Sequence, residues 1–401
     1  MPLEFIKRNL EKVGCDIAID KSKIYYLYDD KREEILVDAE WKKEIKSHMR
    51  SNQYEFDLEE RRLIGPRIIE AMVAPLGSDV FYKPDYTFSA GSGRDVRLTN
   101  SSMKFQLSFF DSDEYERYFE QIVQRKIERF IKRKRELSFE DLLWRQRTIS
   151  YHVPRKQEKT QIMQEGIPKM EACLFKLAAE NSECWEFKRR IKKSLVSWSE
   201  EFDEDNLNIP LATYDSNLVK YFKVAISSQF PSQSFLAFYH VLEYNFLQVS
   251  DEVLHGRLRS HVNNTRFQSQ PDEIEKIISI VKKHSSASNE TEMLMRVLRK
   301  YVDEEELIEF ISQLEGSAEE KVYSKNREIF GERFHIQLKL DHAISNAAKL
   351  IKHVRNALVH SSDRYSRDDC HIPLTESEDI VRDYIPLIRF LSEKVICAKT
   401  S

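Results

Sequence analysis

The chain has 401 residues, 41% hydrophobic and 32% charged, which excludes a disordered or fibrous protein and allows two or three domains with their own cores. A formal charge of −4 supplies no global attraction to nucleic acid or membrane, so any polyanion contact must come from a local patch. Only 9 glycines, where roughly 7% is usual, mean few tight turns and favour long helices.

The five cysteines (Cys15, Cys173, Cys184, Cys370, Cys397) are scattered and never in a CxxC pair. That argues against a disulfide framework or zinc knuckle and for a reducing compartment. The opening "MPLEFIKRNLEKVGCD" lacks the apolar run of a signal peptide, and no stretch approaches a membrane span in length. The expected location is the cytoplasm, with no membrane partner and no cofactor.

The first part of the chain reads as mixed α+β. "KIYYLYDD" and "EEILVDAEW" are rich in aromatic and branched residues, and "DVFYKPDYTFSAGSGRDVRLTNSSMKFQLSFFD" reads as strands joined by turns. Its "SAGSGRD" lacks the Gly-Lys-Ser/Thr of a P-loop and the third glycine of a dinucleotide turn. From Glu114 the pattern turns helical, with Phe119, Ile122, Val123, Ile127, Phe130 and Ile131 near helical spacing. The end of that helix carries Arg129, Lys132, Arg133 and Arg135. Cations there complement the helix dipole as a solvated end, or grip RNA phosphates as a basic strip.

Residues 151–209 read as a charged helical connector, and "DEDNLNIP", ending at Pro210, marks the strongest boundary. After it everything reads helical. "SNLVKYFKVAISSQF" is one helix, and "SQSFLAFYHVLEYNFLQVS" is a second with Phe235, Leu236, Tyr239, Leu242, Phe246 and Val249 on a core face. "PDEIEKIISIVKKH", "SNETEMLMRVL" and "DEEELIEFISQL" follow, then a long helix from about Ile336 to His360. In the last helix Thr375 and Glu378 have capping-box spacing, and Pro386 is expected to kink it. The expected architecture is an α+β sensor or recruitment domain over 1–150, the connector 151–209, and an all-α bundle over 210–401.

Within "KLIKHVRNALVHSSDRY", Arg355 and Asn356 are adjacent and His360 lies one turn beyond Asn356. Residues four apart on a helix are about 40° apart, so Asn356 and His360 share a face, whereas Arg355 and His360 are about 140° apart. A loosened helix end, the reach of the arginine, or a second copy across a two-fold axis could bring the two together. An arginine and a histidine also occur ordinarily near a helix C-terminus, where both favour the dipole. His335, His342, His353 and His360 fall on one stripe of a straight helix. Neighbours on it would be roughly 10 to 16 Å apart, too far to share a metal, and none is expected. Glu243 is a candidate for steadying the arginine, and "RDDCH" reads as a loop before the last helix.

The order of Arg355, Asn356 and His360 in "RNALVH", late in a helical region, resembles the RxxxxH motif of HEPN domains, the ApeA-like branch most closely. The resemblance covers residues from Pro210 onward. It implies a helical bundle, a homodimer with a composite active site, and a metal-independent endoribonuclease of anti-phage defence, abortive infection or toxin systems. Arg355, Asn356 and His360 would be catalytic. Arg129, Lys132, Arg133, Arg135, Lys352 and Arg364 are candidate RNA contacts, and an unidentified trigger or ligand would act at the N-terminal domain. Two features depart from the pattern. Ser362 stands where many toxin members carry a tyrosine, and the stretch 250–335 is long for a minimal bundle. The other reading is a non-catalytic helical module that binds RNA or protein.

Overall fold

The computed structural model describes every residue except 1, 29–30, 52, 78–83, 91, 134, 191–193, 197–211, 266, 269, 287–288, 319, 360–369 and 400–401. The chain divides into two units, Met1–Ile191 and Lys192–Ser401.

Unit 1 opens with α1 (Pro2–Lys12), β1 (Ile17–Asp20), β2 (Lys23–Tyr28), β3 (Lys31–Leu36) and α2 (Ala39–Arg50). Next come β4 (Glu55–Asp57), β5 (Arg62–Ile64), β6 (Ile68–Pro75), β7 (Tyr86–Ser89) and β8 (Asp95–Asn100). They lead to α3 (Met103–Phe110), α4 (Glu114–Tyr118), α5 (Gln124–Lys132), β9 (Leu137–Ser138) and α6 (Phe139–Leu142). The unit ends with β10 (Arg147–His152), α7 (Lys159–Asn181) and β11 (Trp185–Phe187). β1, β2 and β3 form an antiparallel meander that β9 joins parallel to β3. The larger sheet runs β4-β5-β6-β10-β8-β7, with β11 also paired to β6.

Part of this unit differs from the sequence expectation. Residues 103–110 form a helix where a strand was expected. Ser102 caps it by accepting from the Phe105 amide at 3.2 Å. Ser102 is itself held by the buried Glu70 carboxylate, which accepts from its amide (2.8 Å) and from the Thr148 hydroxyl (2.8 Å). The pattern of "MKFQLSFF" hides this, because Met103, Phe105, Leu107 and Phe109 alternate with Lys104, Gln106 and Ser108, the period of a strand. The helix from Glu114 is interrupted by a π-turn at Phe119–Val123, which leaves Ile122 exposed. The expected connector is also placed differently. Residues up to 191 belong to unit 1, because the apolar face of α7, with Ile162, Met170 and Leu174, joins the core made by Ile69, Val73 and Ile149 of the sheet. Gly166 permits that approach, since a Cβ there would meet Ile69 and Tyr151 at 2.7 Å.

Unit 2 is mostly helical: α8 (Ser216–Ser227), α9 (Pro231–Glu243), α10 (Phe246–Val262), α11 (Pro271–Ser286), α12 (Glu290–Tyr301) and α13 (Glu304–Gly316). A hairpin of β12 (Arg327–Ile329) and β13 (Glu332–Phe334) follows, then α14 (Ala343–Val359), α15 (Ser377–Arg382) and α16 (Ile385–Ala398). Asp215, Asn289 and Asp303 accept first-turn amides of α8, α12 and α13, ending the chain's freedom where each helix begins. One core unites Phe235, Phe238 and Leu242 with Leu294, Leu298, Ile351, Val354, Leu387 and Leu391.

Five local expectations change in this unit. The apolar run after Pro231 breaks into α9 and α10 at Tyr244 and Asn245, and Leu236 is only half-buried. Asn245 is fully buried there, donating to Val241 O at 3.0 Å and accepting from Lys399 Nζ at 2.7 Å. The long helix starts at Ala343, not Ile336: the β12–β13 hairpin, turning through Phe330 (φ 46°) and Gly331 (φ 78°), is followed by non-helical residues up to a left-handed Asp341 (φ 69°). His335 and His342 therefore lie off the helix, and the four-histidine stripe does not form. Around Pro386 the expected kink is a full break, with Asp383 and Tyr384 between α15 and α16. The expected capping box is absent too. Glu378 reaches instead to the start of α9, where it accepts from the Ser232 amide (2.9 Å) and hydroxyl (2.7 Å).

Candidate active site around Arg355

Helix α14 is drawn into the core by Ala347, Ala348, Leu350, Ile351 and Val354, all buried. The next two residues, Arg355 and Asn356, are half-buried, with Lys352 one turn before and Val359, which is exposed, one turn after. The Arg355 side chain remains 21% exposed. Its Nη1 donates to Asn356 Oδ1 at 3.2 Å, and its Nη2 lies 3.4 Å from Glu290 Oε1. The guanidinium carbon sits 5.5 Å from the centre of the Tyr239 ring. Tyr239 in turn donates its hydroxyl to the same Glu290 oxygen at 2.7 Å. Three helices thus meet at one charged point: α9 gives Tyr239, α12 gives Glu290 at its first turn, and α14 gives Arg355.

This arrangement defines what each group can do. Burial, followed by the bond to Glu290, pushes the Tyr239 phenol far above its ordinary range, while Arg355 opposes the shift. Tyr239 therefore stays neutral and donates its hydroxyl hydrogen bond to Glu290. Arg355 is always charged and its planar fork suits a phosphate, but an incoming phosphate has to compete with Glu290. The pair is partly solvated, and such pairs are worth about 0–1 kcal/mol, which a bidentate phosphate contact can exceed. Asn356 engages the arginine, its side-chain oxygen accepting from Nη1.

His360 and Arg364, the other expected residues of this segment, lie outside the described residues. Of the expected RNA contacts, Arg129, Lys132, Arg133 and Arg135 are exposed at and after the end of α5 in unit 1, and none forms an ion pair among the described residues. Glu243 does not steady the arginine. It pairs with His240 at 3.0 Å, and Glu290 takes the expected role.

Two other histidine contacts of this unit serve the fold. The buried His371 ring lies 3.2 Å from Glu378, the carboxylate that caps α9 through Ser232. Burial alone would raise the Glu378 carboxyl, but His371 and the Ser232 hydroxyl and amide together hold it below its usual value. His353 bonds Ile329 O at 2.7 Å and faces Glu332 in the hairpin. Among the described residues no group of three or more His, Cys, Asp or Glu could hold a metal ion, and no helix is long and apolar enough to cross a membrane. No family model, curated protein or solved structure matches this chain.

Proposed function

We propose that the chain is a metal-independent endoribonuclease in which Arg355 binds the scissile phosphate and His360 moves protons. The observation that carries the reading is the Arg355 guanidinium: partly open to solvent, oriented by Tyr239, Glu290 and Asn356, and five residues ahead of His360 in the order of the HEPN motif. RNA brings its own nucleophile. The 2′-hydroxyl gives up its proton to a base, O2′ bonds to phosphorus, and the bond from phosphorus to O5′ breaks as that oxygen is protonated. An imidazole with an ordinary pKa near 6.5 serves as base or acid near neutrality. The guanidinium neutralises charge that accumulates on the phosphate oxygens. The products are a 2′,3′-cyclic phosphate and a 5′-hydroxyl. The resemblance to HEPN nucleases extends the proposal to a homodimer with a composite cleft, acting in anti-phage defence or as a toxin.

A second reading is favoured by the same contacts. Glu290 and Tyr239 together satisfy Arg355, as they would in a non-catalytic helical module that binds RNA or protein. Incubation of the full chain with RNA in EDTA, beside His360→Ala, separates the two. Cleavage by the parent protein alone, with cyclic-phosphate ends, is expected. Equal RNA binding and no cleavage by both proteins would leave the module.

A further inference from the structure

Helices α8 and α9 pack side by side in opposite directions. The Tyr221 ring lies 5.5 Å from the His240 ring, and one turn away Asn217 Nδ2 donates to the Tyr244 hydroxyl at 3.3 Å. On α8, Asn217, Tyr221 and Val224 follow helical spacing, and His240 and Tyr244 repeat that spacing at the end of α9. All five are exposed, Tyr221 at 38% and Tyr244 at 47%. The core does not need them, because Phe222 and Phe238 already join the two helices edge to face at 5.2 Å. Each helix therefore keeps one apolar row for the core and shows a second, ring-bearing row to solvent.

The chemistry of this row is specific. It offers flat rings with polar tips. Lys220 is exposed on α8 next to Tyr221, and Lys399 Nζ lies 5.8 Å from the Tyr244 ring. Of the acids beside the row, Glu243 is tied to His240 and Asp215 to the first amides of α8. On α9, His240 directly follows Tyr239, whose ring lies under Arg355.

We propose that Tyr221, His240 and Tyr244 form a stacking platform for unpaired bases of single-stranded RNA, with the lysines beside it facing the phosphates. The identity of the ligand rests on the ribonuclease reading of the Arg355 site; the surface itself does not. Every base has a flat face that stacks on an aromatic ring, and one helical turn separates His240 from Tyr244 by about 6 Å along the axis. A duplex hides those faces between its own base pairs, so the platform selects unpaired RNA.

The test is equilibrium binding in EDTA, with the full-length His360→Ala protein as parent so that the RNA stays intact. A labelled single strand and a duplex of the same sequence are the probes. Tyr221→Ala and Tyr244→Ala are each expected to weaken single-strand binding about tenfold. Tyr244→Phe, which keeps the ring, is expected to bind like the parent. Both tyrosines are exposed, so a matching thermal transition serves as the folding control, and Tyr244→Leu, apolar but ringless, must also bind weakly. Duplex binding as tight as single-strand binding, or alanine variants that bind like the parent, would overturn the platform. If the rings bind RNA and the wild-type protein cuts none, the nuclease proposal fails and the platform stands. If the wild-type protein cuts and the ring variants bind unchanged, the platform fails alone.

Discussion

Replacing Arg355 by alanine removes contacts of known geometry, so its structural cost can be set beside its catalytic one. The ion pair to Glu290 spans 3.4 Å between side chains that are both partly exposed, and is worth at most about 1 kcal/mol. The guanidinium over Tyr239, at 5.5 Å, adds about 0.5–1 kcal/mol. A loss of about 1–2 kcal/mol in a unit of this size lowers its thermal transition by about 2–8 °C. The nuclease account asks far more of the same side chain. One charged donor withdrawn from a transition state is worth about 10²–10³ in rate. The assay is a melt and a single-turnover RNA cleavage measured on the same preparation, at a temperature where the variant is fully folded. A modest fall in the melt with at least a hundredfold fall in rate is expected. Arg355→Lys should recover most of the melt but little of the rate, because an ammonium cannot make the paired phosphate contact. If Arg355→Ala melts lower yet cleaves like the wild type, the arginine is a packing residue and the assignment is refuted.

Tyr239→Phe removes one hydrogen bond to a carboxylate that water can still reach. It should cost about 1 kcal/mol, read as a fall of a few degrees in the melt, with RNA cleavage kept within a few-fold. Glu378 has a folded pKa below its ordinary value of 4.5, so its stabilising effect is present above about pH 4.5 and is lost as pH falls through the lowered value. Melts of Glu378→Gln between pH 6 and 3 should therefore start lower than wild type and fall less steeply. A parallel pair of curves would contradict that. Gly166→Ala gains about 1 kcal/mol of helix propensity but forces a methyl against Ile69 and Tyr151 at 2.7 Å, an overpacking that costs about 1–3 kcal/mol. Net destabilisation of unit 1 is expected, and a raised melting temperature would show that α7 can move away from the sheet.

Much of the secondary structure was legible because it is locally encoded. Asp215, Asn289 and Asp303 stand where side-chain caps are needed, and the period of Leu350, Ile351 and Val354 fits one buried face of α14. The misreadings have physical causes. α3 alternates apolar residues with Lys104, Gln106 and Ser108, so its sequence carries the period of a strand although it folds as a helix. The β12–β13 hairpin turns on Phe330 and a single glycine, a faint signal beside the helical residues around it. Glu378 satisfies a distant helix start and leaves its local capping box unmade, a choice set by tertiary packing. At the candidate site, Arg355 and Asn356 could be read as neighbours because they are adjacent in the chain. Tyr239 was visible only as a core residue, and Glu290 only as the first acid of a helix. Their convergence on Arg355 depends on how α9, α12 and α14 pack, which no spacing in the sequence records.

The central claim, that this chain cuts RNA through the substrate's own 2′-hydroxyl, is tested most directly with a single-site substrate. An RNA strand whose cleavage position has been mapped is compared, in EDTA, with the same strand carrying one 2′-deoxy nucleotide immediately 5′ of the scissile phosphate. The account predicts that the deoxy substitution abolishes cutting at that bond while binding is unchanged and other sites are still cut. Cleavage at the deoxy position, or no cleavage of the all-RNA strand at any protein concentration, would contradict it.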